Sequence, residues 1–290
     1  MKKSKSAYLL LLPTIMIMGT LVYFPIVRTF IFSLHSYKLS RPDRFKFIGF
    51  NNYNKVLRSK EFHQAFWNSL LVLCLVVVLV LVASIFVGLL LNKKSRFSPI
   101  LTGIAIIPWA LPPLVNGIIW QFIFHPSYGL ANKILLNLGI VNQPIAWINN
   151  RYLLLLVVSI VIAWRVVPFC AILILSTLQT IPKELYEAAQ IDGAGRVSEF
   201  FHITLSILLP TLAIVLIQAT MAGINVFDEI VSLVGYRFEG QTLLIYNYLN
   251  TFSFLDFGLG SAITYIIMIF SGIIGYFYIR SLKLEGKNAE

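Results

Sequence analysis

The chain has 290 residues, of which 58% are hydrophobic and 12% are charged. Since soluble domains carry about 25% charged residues, this composition excludes an ordinary soluble protein. The net charge of +11 would suit nucleic-acid binding in a soluble protein. Here no basic cluster interleaves with exposed aromatic residues, so we expect no nucleic-acid partner. The basic residues lie between apolar runs, where they meet membrane lipid headgroups.

Six apolar runs dominate the chain, and each reaches the roughly 20 residues that cross a bilayer as a helix. Only helices satisfy their backbone groups within such a segment, so we predict an all-α integral membrane protein. The predicted spans are about 7–34, 68–91, 100–124, 152–179, 205–227 and 261–280. The first run has a basic start like a signal peptide but no small-residue cleavage site, so it is interpreted as an uncleaved span.

The third predicted span contains three prolines, Pro108, Pro112 and Pro113. Proline removes a backbone hydrogen bond and bends a helix, and in a membrane the freed carbonyl needs a partner or a cavity. Two interpretations stay open, an ordinary kink and a pathway wall built from bent helices. For Pro168 and Pro210 in the fourth and fifth spans, ordinary kinking is expected.

Six spans place both chain ends on one side, and the basic residues decide which side that is. Eleven Lys and Arg lie on the side of the ends and ten on the other, but seven of those ten lie in one loop, 35–67. Without that loop the ratio is eleven to three, which favours cytoplasmic ends. The long outer loops 35–67 and 228–260 are expected to be functional.

Catalytic motifs are absent from the sequence, and ionisable residues inside the spans are few. No phosphate-binding glycine loop, zinc-protease motif or nucleophile elbow is present, so the chain is not expected to be an enzyme. Arg165 lies deep in the fourth span, where a charge is costly. It is expected to pair with carbonyls freed by Pro168 or to lie nearer the membrane surface, with a functional role as the alternative. The shortage of acids inside spans argues against a proton- or sodium-coupled carrier.

The segment "ELYEAAQIDGAG" (184–195) is the longest polar, helix-forming passage in the chain. Pro182 suits the first turn of a helix, Glu184 complements the helix dipole, and Gly193 suits a left-handed stop. The pattern predicts a helix of about three turns on the cytoplasmic surface, with a small-residue face that another protein can approach. That face comprises Leu185, Tyr186, Glu187, Ala188, Ala189 and Asp192.

This segment resembles the signature of the membrane subunits of binding-protein-dependent ABC importers. The signature is Glu-Ala-Ala, three residues, Gly, nine residues and Ile, matched here by Glu187, Ala188, Ala189, Gly193 and Ile203. After that Ile the family usually has one residue of any type and then Leu-Pro, whereas this chain has Thr204, Leu205 and then Ser206 in place of the proline. "PWALPPLVNGIIWQFIFHPSYGLANKIL" and "FDEIVSLV" are similar to the carbohydrate-type permeases, and the likeness covers nearly the whole chain.

The resemblance implies the type I ABC importer permease fold with six transmembrane helices. The implied organisation is an N-terminal span with its outer loop (1–67), a five-helix permease core (68–280) and a cytoplasmic tail (281–290). Within the core, the loop 180–204 would couple to an ATPase. The implied location is the bacterial inner membrane, with both termini in the cytoplasm.

The implied function is the translocation of a sugar or sugar-like solute that an extracytoplasmic binding protein delivers. The implied partners are a second homologous permease, two ATP-binding subunits and the solute-binding protein. ATP and Mg²⁺ would belong to the ATPase, with no cofactor on this chain. Leu185, Glu187, Ala188, Ala189, Asp192 and Gly193 would transmit force. The alternative function is an energy-independent channel or a secondary carrier for small polar solutes.

Four side chains are candidates for the solute pathway, because sugar recognition combines hydrogen bonds with an aromatic face. They are Trp109, Asn116, Gln218 and Asn225. The alternative for Asn116 and Gln218 is hydrogen bonding between helices.

Overall fold

The structure is a computed structural model that describes residues 3–93 and 95–288. Lys2 and Lys94, which entered the charge count, and the last two residues of the predicted tail lie outside the described residues. The α-helices are α1 (Lys3–Met18), α2 (Phe24–Ser33), α3 (Asn51–Arg58), α4 (Lys60–Leu91), α5 (Ser98–Ala105), α6 (Pro113–Ile123), α7 (Leu130–Asn137), α8 (Arg151–Leu178), α9 (Lys183–Ile191), α10 (Arg196–Glu199), α11 (Leu205–Ile224), α12 (Asp228–Val234), α13 (Leu243–Tyr248) and α14 (Phe257–Asn288).

Short π-helical and 3₁₀ segments join or extend several of these helices. The π segments are Gly19–Tyr23, Phe200–Thr204 and Leu249–Ser253, and the 3₁₀ segments are Pro42–Arg44, Ile107–Ala110 and Phe238–Gly240. The first π segment makes α1 and α2 continuous, and the second does the same for α10 and α11.

The predicted membrane spans are confirmed to within a few residues at most ends. Within the described residues, five helical segments are long and apolar enough to cross a membrane, and a sixth span results if one bent helix pair counts as a single crossing. The five are Leu10–Ser33, Lys60–Leu91, Arg151–Leu178, Arg196–Ile224 and Phe257–Tyr278, and the pair is Ser98–Ala110 with Pro113–Ile123. The largest differences are the earlier starts of the second and fifth spans.

The third predicted span is broken rather than gently kinked. Its two halves meet at 99°, and the break lies at Leu111 and Pro112, both of which are extended with ψ of 133° and 140°. Proline pushes the residue before it out of the helical region, so two consecutive prolines stop one helix and start the next. The bend is confirmed, whereas its role as a pathway wall stays a prediction. Pro168 and Pro210 lie inside helices that continue through them.

Contacts between Cα atoms divide the chain into two units, Met1–His63 with Ile245–Ile274, and Gln64–Leu244 with Gly275–Glu290. This partition differs from the sequence-based division at residue 67, which stays a prediction. In the first unit, β1 (His35–Ser36) and β2 (Lys46–Phe47) form a two-stranded antiparallel hairpin in an otherwise helical chain. Asn52 fastens this hairpin to α2 by donating to the backbone oxygens of Ser33 and His35 at 2.8 and 2.9 Å.

In the second unit α8 forms the core. In its most apolar stretch 61% of the residues are buried, against 28% for α4. The helix begins at Asn150, whose side chain accepts hydrogen bonds from the backbone N–H groups of Tyr152 and Leu153, as N-cap residues do. Helices α6, α11 and α12 pack against α8.

Candidate functional site

Helix α9 (Lys183–Ile191) is the predicted surface helix, and its ends are formed as the sequence indicates. It has nine residues, about two and a half turns rather than three. Pro182 precedes it in an extended conformation and Glu184 lies in the first turn. Gly193 ends the helix with φ of +83°, in the left-handed region that favours glycine. The N–H groups of Asp192, Gly193 and Ala194 close the last turn on the carbonyls of residues 188, 190 and 189.

The predicted contact face of α9 is open. Leu185, Glu187, Ala188, Asp192 and Gly193 are exposed and Ala189 is half-buried. Sequence reasoning missed Ile191, which at 87% has the highest exposed fraction among the large hydrophobic side chains of the described residues. Exposed apolar side chains continue after the helix at Val197 and Phe201. Because Val197 and Phe201 lie in the fifth span, the exposed apolar side chains that suit a protein–protein contact are Leu185 and Ile191 of α9.

Tyr186 was expected beside Leu185 on the exposed face, and this expectation is wrong. Its ring is half-buried, and its hydroxyl lies 2.9 Å from the hydroxyl of Thr204, at the base of α11. A second hydrogen bond, from Gln190 Nε2 to Glu199 Oε1 at 2.9 Å, ties α9 to α10. The two bonds hold α9 against the start of the fifth span. Thr204 carried no sequence signal beyond its place in the Ile-x-Leu-Pro-like passage.

Farther from α9, two polar contacts link α8 to the helices that follow α9. The hydroxyls of Thr177 and Thr211 lie 2.6 Å apart, between α8 and α11. Arg165 Nη2 donates to Glu229 Oε1 at 2.9 Å, between α8 and α12. With the Tyr186–Thr204 contact, three polar ties therefore connect the α8–α9 side to the α11–α12 side. Hydrogen bonds between apolar helices stabilise their packing.

The expected pairing of Arg165 with carbonyls freed by Pro168 is wrong. Its partner is the carboxylate of Glu229, whose side chain is 4% exposed, against 22% for Arg165. Sequence reasoning had placed Glu229 in an outer loop, because the segment "FDEI" follows the end of the fifth apolar run. The ion pair neutralises both charges, as buried charges require.

Among the described residues, no hydrogen bond or ring contact joins two of the four proposed pathway residues. Trp109 is in the 3₁₀ turn before the break and stacks on Phe169 at 5.4 Å. Asn116 is buried in α6 and donates from Nδ2 to the backbone oxygen of Val161 at 3.0 Å, so the helix–helix hydrogen bond named as its alternative is present. Asn225 is exposed and bonds to Met221 at the end of α11, and Gln218 is half-buried in α11.

Three buried side-chain atoms of the described residues have no hydrogen-bond partner, and they belong to neighbouring elements. They are Asn116 Oδ1, Trp120 Nε1 and Arg165 Nε. Asn116 contacts α8 at Val161, and Trp120 packs edge-on against Trp164 of the same helix at 5.7 Å. Among the described residues no group of three or more His, Cys, Asp or Glu could hold a metal ion.

The family model for the inner-membrane component of binding-protein-dependent transport systems matches residues 80–282. The chain belongs to this family. Its match includes the break in the third span, α9, the three polar ties and the whole of the sixth span.

Characterised members resemble this inner-membrane component over nearly its whole length. The sulfoquinovosyl glycerol transport system permease of Agrobacterium fabrum is 33% identical, over 96% of this chain and 91% of the relative. The trehalose/maltose transport system permease of Thermococcus litoralis is 34% identical, over 98% and 96%. The arabinooligosaccharides transport system permease of Bacillus subtilis is 31% identical, over 98% and 90%.

Solved structures show the same fold. A chain of a bacterial ABC transporter involved in the import of the polysaccharide alginate superposes with a TM-score of 0.80 at 21% identity, over 97% of this chain and 96% of that chain. The prediction of a type I importer permease fold is confirmed. As a family member, the protein is a multi-pass membrane transport subunit that works with a binding protein and other transporter subunits, and not an enzyme.

Proposed function

We propose that this permease passes a sugar or sugar-like solute across the membrane, using the energy of ATP hydrolysed on separate subunits. The observation that carries the proposal is α9, an exposed helix with the importer signature from Glu187 to Gly193 that Tyr186 ties to Thr204 at the start of the fifth span. The Thr177–Thr211 contact in turn joins that span to α8. A helix without catalytic groups but with a stiff connection to the spans is suited to receive a mechanical displacement.

The sugar class is supported by the relatives. Their names assign them sulfoquinovosyl glycerol, trehalose and maltose, and arabinooligosaccharides. These compounds share a polyhydroxylated glycosyl unit, so the solute of this permease is proposed to contain one. The family assignment also favours this function over an energy-independent channel or a secondary carrier, because such proteins need no binding protein.

The proposed assembly contains a second homologous permease, two ATP-binding subunits and an extracytoplasmic solute-binding protein. ATP and Mg²⁺ bind the ATP-binding subunits. The exposed side chains of α9 fill a groove on one of these subunits, with Leu185 and Ile191 as apolar contacts. This arrangement requires α9 and both chain ends in the cytoplasm, which agrees with the basic residues at the ends of the spans.

For the solute route, Trp109, Asn116, Gln218 and Asn225 remain proposed contacts. Asn116 keeps a free acceptor, Oδ1, although its Nδ2 is used between helices. The ring of Trp109 has one face on Phe169 and an exposed fraction of 46%, which leaves surface for a sugar ring.

The test is the uptake of labelled trehalose, maltose, arabinooligosaccharides and sulfoquinovosyl glycerol by cells that contain the complete transporter. Gly193→Arg and Ala188→Glu should each abolish uptake of the transported sugar while the permease still reaches the membrane. The first substitution changes the turn that ends α9, and the second puts a charge on its exposed small-residue face. Wild-type uptake with either variant would contradict the docking role, and transport of none of the sugars by the wild type would contradict the sugar class.

Matched controls separate docking from general damage. Gly139 also has positive φ, +68°, and open space around its Cβ position, but it follows α7. Gly139→Arg therefore introduces the same kind of backbone strain away from α9 and should retain uptake. Ala188→Ser keeps the side chain small and should also retain it.

A further inference from the structure

A surface cavity of about 830 Å³ lies where α4 turns into α5, beside the end of α8. Its polar wall comprises Asn92, Lys93, Ser95, Arg96 and Gln179. Because α8 ends at Leu178 and α9 begins at Lys183, the cavity lies at the end of the second unit that carries α9. None of the functions assigned so far uses it.

The cavity presents cations and hydrogen-bond donors without a carboxylate. No Asp or Glu is among its lining residues. Within the described residues the two ion pairs are Lys38–Asp256 and Arg165–Glu229, so Lys93 and Arg96 have no acidic partner there. Among the described residues no ion pair neutralises these two cations, and this favours an anionic ligand.

The backbone turn at the cavity is shaped by its own hydroxyl groups. Ser98 Oγ donates to the carbonyl of Lys93 at 3.0 Å, and Thr102 Oγ1 donates to the carbonyl of Ser98 at 2.9 Å. Ser95 Oγ accepts from the N–H of Phe97 at 3.3 Å, so its own hydroxyl hydrogen is available for a ligand. The guanidinium of Arg96 lies over the ring of Phe97, 4.8 Å from its centroid, which holds it at the rim. Cations beside hydroxyl donors suit phosphate oxygens.

An apolar surface continues from the polar wall. Leu91, Pro99 and Leu175 line the cavity beside its basic residues. Along α5, which starts at the cavity, Ile100, Leu101 and Ile104 are exposed by 60%, 51% and 58%. A membrane-spanning helix exposes such side chains to acyl chains. Cations at the end of the span with apolar side chains beyond them match a phospholipid, whose phosphate and acyl chains are joined in one molecule.

We propose that this cavity binds the phosphate headgroup of one anionic phospholipid from the leaflet on the α9 side, with an acyl chain along α5. Lys93 and Arg96 pair with the phosphate, and Ser95 and Gln179 donate to its oxygens. Since Gln179 lies four residues before the start of α9, the lipid borders the segment that leads into that helix. The proposal depends on the membrane span and not on the sugar function.

The test is lipid retention by the purified full-length chain, measured by native mass spectrometry after exchange with phosphatidylglycerol or with phosphatidylcholine of the same acyl chains. The wild type should retain one phosphatidylglycerol and release phosphatidylcholine. Lys93→Gln combined with Arg96→Gln should weaken retention of phosphatidylglycerol about thirtyfold, because two headgroup contacts are lost. Gln179→Leu should weaken it less, since the hydrogen bond it removes is not an ion pair.

Lys55→Gln combined with Arg58→Gln is the matched control, because it removes two positive charges on α3, which contributes no lining residue to the cavity. It should retain phosphatidylglycerol like the wild type. The proposal is overturned if both double variants lose the lipid equally, if the cavity variant retains it fully, or if phosphatidylcholine is held as tightly. Displacement of phosphatidylglycerol by millimolar inorganic phosphate would also overturn it, since the site would then bind a soluble anion and not a lipid.

Discussion

At the scale of single residues, the contact between Arg165 and Glu229 shows how a charge is kept inside an apolar helix core. The two side chains are 2.9 Å apart and largely buried. Each alone would leave an uncompensated charge in a low-dielectric surrounding, whereas together they are neutral. The pair also joins α8 to α12, so it contributes to the position of the helix that follows the fifth span.

We expect Arg165→Met and Glu229→Met each to lower the free energy of unfolding by about 3 kcal/mol, because each leaves a buried charge unpaired. The double variant should recover most of the loss, since no charge remains. Denaturant unfolding in detergent micelles measures this cycle. Lys38→Met is the control, because it breaks the ion pair between Lys38 and Asp256. The Lys38 side chain is 53% exposed, so this substitution should lower the free energy of unfolding by less than about 1 kcal/mol. Additive losses in the double variant would show that the two charges act independently.

At the scale of helices, a missing side chain lets α6 and α12 pack backbone to backbone. A Cβ atom at Gly117 would lie 1.7 Å from Ser232 Oγ, 2.9 Å from its Cβ and 3.0 Å from the carbonyl oxygen of Glu229. Gln121 Nε2 adds a hydrogen bond to the carbonyl of Leu233 at 3.1 Å. Helix α6, the half of the third span after the break, therefore packs against α12 as well as against α8.

We expect Gly117→Ala to destabilise the permease by about 1–3 kcal/mol, because the new methyl group forces α6 and α12 apart. Ser232→Gly in the same chain should restore part of this loss, since it removes two of the three clashing atoms and leaves the Glu229 carbonyl. The midpoint of thermal unfolding in micelles measures both effects. Gly103→Ala in α5, where no atom lies within 4 Å of the added Cβ, is the control and should be neutral or slightly stabilising. Equal effects at residues 103 and 117 would contradict the close packing.

At the scale of the whole molecule, the number of spans determines on which side of the membrane α9 lies relative to the chain ends. With the bent pair counted as one crossing, the described residues contain six candidate spans, which would put both ends and α9 on one side. The basic residues assign that side to the cytoplasm only when the loop 35–67 is set aside. In the structure that loop contains the β1–β2 hairpin and α3.

Labelling by a membrane-impermeant maleimide tests this orientation. In a chain with Cys74→Ser and Cys170→Ser, a cysteine introduced by Lys183→Cys at the start of α9 should react in inside-out vesicles and not in intact cells. A cysteine introduced by Lys55→Cys on α3 is the opposite control and should react in intact cells. The reverse pattern would place α9 outside and contradict docking to an ATPase in the cytoplasm.

The sequence by itself determined the features that depend on local physics. Long apolar runs can cross a bilayer only as helices, which is why the spans were predicted closely. Pro112 and Pro113 interrupt the helix whatever the surrounding structure. Gly193 ends α9 because residues other than glycine are strained in the left-handed backbone conformation. The importer signature added the identity of α9, since its spacing lies within one short segment.

Only the tertiary structure decided the contacts between distant residues. Arg165 and Glu229 are 64 positions apart, and Thr177 and Thr211 are 34 apart. No local pattern predicts which polar groups meet, because a buried group takes whichever partner the packed helices bring near. The same reason explains Tyr186, which was predicted on the exposed face of α9 but is half-buried beside Thr204. It also explains the cavity beside α5, whose walls come from three helices that only packing brings together.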